Sequence, residues 1–331
     1  MRALNAILAT LTLSILAATA AGQAQPREEE PEEEGGGRIV GGTPALPGSA
    51  PWQAEIYAIP PYTEAEITAD RDLREDDPDK RFHHLKAEWE RVHRCGGAWL
   101  GDDWVITAAH CVAKIKGNVA DVRRIRLGTQ TLAQGGTTYR IERVVIHKDY
   151  HPDRKLHDIA LIKVAADRET RPLPANRLKP IRLLGEKAGD RPLRPFDRAS
   201  VLGWGLTSAR ASGARTKALD GSLNRGSPVL MTVDLSVFPQ ARCEAVPEYR
   251  GFLGKSVICA GSSQPGKDAC TGDSGGPMTR AQGSERVLVG LVSWGKGCAL
   301  PGTPGIYTNV GEYLDWIRAA KNAPPGRVSW L

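Results

Sequence analysis

Several things are scarce in this chain, and each scarcity removes an option. Beyond residue 21 no apolar run approaches the ~20 residues that a membrane-crossing helix needs, so a soluble mature protein is expected. No Cys-x-x-Cys pair occurs, and the six cysteines are spaced for no zinc site. Lys and Arg are scattered without a basic run or interleaved aromatics, which argues against nucleic acid as a partner and leaves the positive balance as an aid to solubility. Aromatics make up only 6 % of the 331 residues against 36 glycines, yet the length suffices for one large or two modest cores.

What is present begins with a leader. Arg2 precedes an apolar stretch from about Ala6 to Ala21, and Ala18-Thr19-Ala20 offers the small residues a signal peptidase needs, so residues 1–20 read as a secretory signal peptide. Residues 21–38 read as an acidic pro-segment ending in a triple glycine and Arg38, with too little apolar surface to build a core. Residues 1–38 hold three Arg against six Glu, a net of −3, so the formal +6 of the whole chain becomes +9 for residues 39–331. Six cysteines behind a secretory signal imply disulfides formed in an oxidising compartment, extracellular or periplasmic; spacing alone leaves their pairing open.

From Ile39 onward short β-branched runs are broken by Gly, Pro and Asp: 104–107, 125–127, 139–146, 159–164, 199–202, 229–237, 287–292 and 306–310. This pattern predicts an antiparallel all-β fold, sandwich or barrel. Near the end Tyr313, Leu314, Trp316 and Ile317 share one face of a short helix that Pro324-Pro325-Gly326 stops.

The densest chemistry lies in Asp268-Ala269-Cys270-Thr271-Gly272-Asp273-Ser274-Gly275-Gly276-Pro277. A serine hydroxyl is a poor nucleophile near neutral pH and needs a histidine base, itself oriented by a third group. Thr107-Ala108-Ala109-His110-Cys111 supplies the histidine, and Asp158, at the head of an apolar run in His157-Asp158-Ile159-Ala160-Leu161, supplies a carboxylate. His147, His151 and His157 lack such company and are assigned no role.

The chain order His, Asp, Ser, together with Ile39-Val40-Gly41-Gly42 and Ser293-Trp294-Gly295 followed by Cys298, resembles trypsin-like members of the chymotrypsin family of serine endopeptidases across about residues 39–320. The resemblance implies two six-stranded antiparallel Greek-key barrels with a short C-terminal helix, a connector near 171–180 and a tail at 321–331. It implies catalytic His110, Asp158 and Ser274, an oxyanion hole at the amides of Gly272 and Ser274, and a substrate pocket of Asp268, Ser293, Trp294, Gly295 and Gly305 that takes Arg or Lys. It implies activation by cleavage between Arg38 and Ile39, the new ammonium pairing with Asp273, and disulfides Cys95 to Cys111, Cys243 to Cys259 and Cys270 to Cys298. A secreted protease, made as a zymogen, acting as a monomer on protein or peptide substrates and meeting protein inhibitors, is the expected function; the alternative is a catalytically silent binding protein on the same fold. No cofactor is expected, and no metal, because 129–140 lacks the carboxylates that calcium-binding members carry.

Two segments depart from the family pattern. Between Pro60 and Arg94 lies a charged insert, expected near the cleft on the leaving-group side. In it Phe82, Leu85, Trp89 and Val92 recur at helical spacing, with Asp77-Pro78 as the expected start of one amphipathic helix whose apolar face is expected to pack on the first barrel, the alternative being that it serves a partner. His83, His84 and His93 are expected to be solvated. The second segment, 206–226, is rich in Ala, Gly and Ser and is expected to be a mobile surface loop.

Overall fold

The computed structural model describes residues 39–331 apart from 78, 114, 116, 117, 133, 167–169, 171–176, 210–216, 221, 264, 265, 325 and 327. The leader, the pro-segment with Arg38, and most of the expected connector lie outside the described residues. The first barrel comprises β1 (Gln53–Ala58), β2 (His93–Gly101), β3 (Trp104–Thr107), β4 (Arg123–Leu127), β5 (Thr137–Ile146) and β6 (Ala160–Ala165). They follow the order β5-β4-β1-β2-β3-β6, and β6 returns to pair with β5. The second comprises β7 (Arg198–Gly203), β8 (Met231–Phe238), β9 (Val257–Gly261), β10 (Pro277–Gln282), β11 (Glu285–Trp294) and β12 (Gly305–Asn309). Its order is β8-β9-β12-β11-β10-β7, closed by β7 on β8. Two closed six-stranded antiparallel barrels are therefore the architecture, as the family resemblance implies.

Alternation explains the strand sequences. In β6, Ala160, Ile162 and Val164 point into the first barrel while Leu161 joins a second core between the barrels. In β11, Val287 and Val289 fill the second barrel while Leu288 and Leu291 meet that same shared layer. Both faces of these strands are buried, so they read as unbroken apolar runs. The C-terminal helix, Leu314–Asn322, buries Ile317 and Ala320 in the shared layer. Arg143 of β5 donates to Ala323 O at 2.8 Å and Ala320 O at 3.3 Å, placing a cation at the helix C-terminus. Beyond it, β13 (Val328–Trp330) pairs in parallel with β5, an extra strand in what sequence reasoning treats as a tail.

The three disulfides are Cys95–Cys111, Cys243–Cys259 and Cys270–Cys298, the pairing that the resemblance implies. Each ties a short loop, and the last anchors the segment carrying Ser274 to the strand end beyond Gly295.

The insert differs from expectation. Its longest helix is Glu64–Asp72, opened by Thr63, which accepts from Glu66 N at 3.3 Å while Glu66 accepts from Thr63 N at 2.7 Å. That capping box is legible in Thr63-Glu64-Ala65-Glu66. No single helix runs through 82–92: a 3-10 turn at His83–Leu85 and a short helix at Glu88–Val92 are separated by extended Lys86 and Ala87. Asp70 holds the break in place, accepting from His83 N at 2.7 Å and from Arg81 N. Leu85 is consequently exposed, while Phe82 and Val92 are buried. Trp89 packs against a cluster of Ala45, Leu132, Leu202, Trp204 and Leu230, so the insert leans on residues of both barrels, a correction to packing on the first alone. The base of the 206–226 loop is likewise braced: buried Asn224 accepts from Thr207 N and Ser208 N and donates to Ser208 O.

Candidate active site

His110 sits in the 3-10 turn Ala109–Cys111 that follows β3, and Asp158 just before β6; because β3 and β6 are paired, the two side chains meet. Asp158 Oδ2 accepts from His110 Nδ1 at 2.7 Å and Oδ1 from His110 N at 2.8 Å. Burial alone would raise the Asp158 carboxyl, but the neighbouring His110 and the hydrogen bonds from it and from Ser293 hold it below the usual range. Ser293 Oγ donates to Asp158 Oδ2. Sequence reasoning put Ser293 in the substrate pocket; the residue does line the cavity described below, and its hydroxyl serves the carboxylate.

Ser274 comes from the second barrel. Its carbonyl accepts from Gly96 N at 2.8 Å and lies 3.7 Å from Cys111 Sγ, next to His110. No hydrogen bond joins Ser274 Oγ to the His110 ring among the described residues; such contacts are often long before substrate binds. The peptide turns here so that the amides of Asp273, Gly275 and Gly276 donate to Cys270, Val292 and Asp273 carbonyls, whereas those of Gly272 and Ser274 make no hydrogen bond among the described residues. Gly272 has φ +98°, and a Cβ there would lie 2.8 Å from Gly205 Cα, so only glycine fits. The side chain of His93, expected to be solvated, is largely covered: Nε2 approaches Gly272 O at 2.9 Å and Nδ1 approaches Glu55 at 3.2 Å, bracing the turn. His83 is buried too.

Asp273 is fully buried. Its carboxylate accepts from Gly205 N at 2.8 Å and Cys270 N at 2.9 Å, and burial nevertheless pushes it up to about 6. Ile39 is also fully buried in the second barrel's core, and Val40 O accepts from Asp268 N at 3.1 Å.

Beside Ser274 opens a cavity of about 180 Å³ lined by Asp268, Trp294, Gly295, Gly305 and Tyr307. Asp268, at its base, accepts from Ala269 N at 2.8 Å and Ala299 N at 3.2 Å, and burial pushes its carboxyl up to about 7. A Cβ on Gly305 would lie 3.2 Å from Asp268 Oδ1, and one on Gly295 would approach Gly305 Cα at 3.7 Å, so these glycines keep the passage open. Sequence reasoning missed Tyr249, whose hydroxyl accepts from Lys296 N at 2.7 Å and donates to Pro304 O at 2.9 Å, tying the two walls together. No local motif marks it.

Among the described residues no helix is long and apolar enough to cross a membrane. The chain matches the trypsin family over residues 77–317. It is 31 % identical to bovine (Bos taurus) coagulation factor XI over 289 residues, which are 87 % of this chain but only 38 % of that relative's length. It is similar in structure to neuropsin, a serine protease expressed in the limbic system of mouse brain, with a TM-score of 0.59 and 27 % identity over 86 % of this chain and all of that one. The two closed barrels, the three disulfides and a sequence match spanning most of the chain agree: it belongs to the trypsin family of serine proteases.

Proposed function

We propose that this chain is a secreted serine endopeptidase, made as a zymogen, that cuts after Arg or Lys through an acyl-enzyme. The observation that carries the catalytic part is the pair of undonated amides at Gly272 and Ser274, held beside a histidine that a buried carboxylate orients. Ser274 Oγ attacks the substrate carbonyl carbon and its proton passes to His110 Nε2; Asp158 keeps the other ring proton on Nδ1 and stabilises the imidazolium. The developing oxyanion takes hydrogen bonds from the two amides. His110 then protonates the leaving amine, and water repeats the sequence on the ester. All these residues are present, which disfavours a catalytically silent binder. The Arg or Lys preference rests on buried Asp268, whose charge is costly without a cation. Secretion rests on the leader-like residues 1–20 and the three disulfides.

A serine-directed fluorophosphonate should label the cleaved protein at Ser274, read by peptide mass mapping, and the protein should hydrolyse Arg and Lys peptides far faster than Phe or Glu ones. Ser274→Ala should lose about 10⁵- to 10⁶-fold in turnover. A folded, cleaved protein that neither labels nor turns over any peptide would leave the silent binder standing. The pocket walls give a second expected result: Gly305→Val should abolish binding of an aryl amidine, followed calorimetrically, because its side chain would occupy the space over Asp268. Retained amidine affinity would mean that this cavity is not the specificity pocket.

A further inference from the structure

On the far side of Thr271 and Gly272 from the Asp268 cavity lies a larger one, about 420 Å³, which the 60–94 insert builds against Trp204, Leu206 and Asn224. Thr271 lines both cavities; Gly272 lines only the larger, Ser274 only the smaller. A peptide whose scissile carbonyl oxygen sits on the Gly272 amide, with its acyl-side residue in the Asp268 cavity, therefore sends its leaving-side residues toward the larger one. Its charge is one-sided. Lys86, Arg91 and Arg94 line it and form no ion pair among the described residues. The guanidinium of Arg91 donates only to the carbonyls of His83 and Lys86, and that of Arg94 to the carbonyls of Arg91 and His93 and the Tyr62 hydroxyl. The lone acidic side chain in the lining, Glu90, is already held by Arg225 at 2.7 Å and by Gly226 N at 3.0 Å. His83, which also lines the cavity, is 8 % exposed and its buried Nδ1 has no hydrogen-bond partner among the described residues. Burial lowers the pKa of Lys86 and of Arg94, and for Lys86 the charges of Glu90 and Asp70 offset that only in part.

We infer that the insert creates a leaving-side subsite for an acidic residue, so that the preferred substrates carry Asp or Glu within the first three residues after the scissile bond. An incoming carboxylate neutralises cations that the fold has partly desolvated and, among the described residues, left outside any ion pair, and the cavity walls weaken competition from water. A basic residue there meets like charge, which supplies discrimination as well as attraction. The inference rests on the proposed Arg or Lys cleavage for its orientation.

The test uses the cleaved full-length enzyme and internally quenched peptides in which Glu, Gln or Lys occupies the first, second or third leaving-side position, each set made with Arg and with Phe on the acyl side. At one or more of these positions Glu should exceed Gln in kcat/KM by about tenfold and Lys should fall below Gln. Lys86→Gln and Arg91→Gln should shrink the Glu-to-Gln ratio toward one, and 0.5 M salt should shrink it as well. Because the readout is a ratio within one enzyme preparation, a variant that folds poorly does not blur it, and the wild-type ranking decides even if both variants are lost. Equal rates for Glu, Gln and Lys at all three positions overturn the subsite while leaving Arg cleavage intact. Cleavage confined to the Phe set overturns the Arg reading, and the leaving-side ranking is then read on that set.

Discussion

Asp268→Ser is expected to lower kcat/KM for Arg and Lys peptides by about a thousandfold, with the serine-directed label still reaching Ser274, because burying a cation without its partner costs about 3–5 kcal/mol. The carboxyl's own protonation sharpens the expectation. Burial pushes Asp268 up to about 7 in the empty cavity, from 3.8 for a solvated carboxyl. A guanidinium or amidine favours the ionised form, so affinity for an aryl amidine should be flat above pH ~7 and fall about tenfold per pH unit below it, as a proton must first leave. In the empty protein the sign reverses. A raised folded pKa means that stability from this group is fully present below the unfolded value and is lost as pH rises through about 7. Relative to Asp268→Ser, the wild type should therefore lose on the order of 3 kcal/mol between pH 5 and 8 in thermal unfolding, and an amidine should restore it. An amidine affinity that does not change between pH 5 and 8 would refute the assignment of Asp268 as the pocket's charge.

Much of this was legible because the relevant chemistry is local in sequence. The ten residues from Asp268 to Pro277 carry the proposed nucleophile, both candidate oxyanion donors and the proposed pocket carboxylate in one short stretch, and the strands at the barrel interface announce themselves as apolar on both faces. Ser293, Tyr249 and His93 were not legible in those roles. Each acts through a single hydrogen bond or two to a group at least 38 residues away, and no periodicity records such a contact. The insert failed for a different reason: the spacing of Phe82, Leu85, Trp89 and Val92 suits a helix, but two backbone amides captured by Asp70 outweigh weak helical propensity over so short a stretch. Its real helix was signalled by the Thr63–Glu66 capping box. The tail strand Val328–Trp330 is three residues long and pairs with Val144–Ile146, the half of β5 that lies beyond its ladder with β4.

The largest remaining effect should come from the junction at Ile39. In the intact chain the nitrogen of Ile39 is an amide, while Asp273 is fully buried with two backbone donors and a carboxyl raised to about 6. Cutting after Arg38 would free an ammonium on a residue whose side chain already lies in the second barrel's core, on the same segment that pairs with Asp268. We propose that this ammonium pairs with Asp273 and fixes the turn that aims Gly272 and Ser274 at the oxyanion. Arg38→Gln should then yield a folded, uncut protein at least about a hundredfold less active, since even one oxyanion donor is worth 10²- to 10³-fold. Asp273→Asn should leave a correctly cut protein nearly as inactive, because the ammonium would lack its partner. The uncut form, with its raised Asp273, should lose stability as pH rises through about 6; in the cut form the ammonium would hold that carboxyl down. The difference in thermal midpoint between cut and uncut protein should therefore widen from pH 5 to 7. N-terminal sequencing paired with peptide turnover decides the matter, and full activity from an Arg38→Gln chain with an intact N-terminus would defeat it.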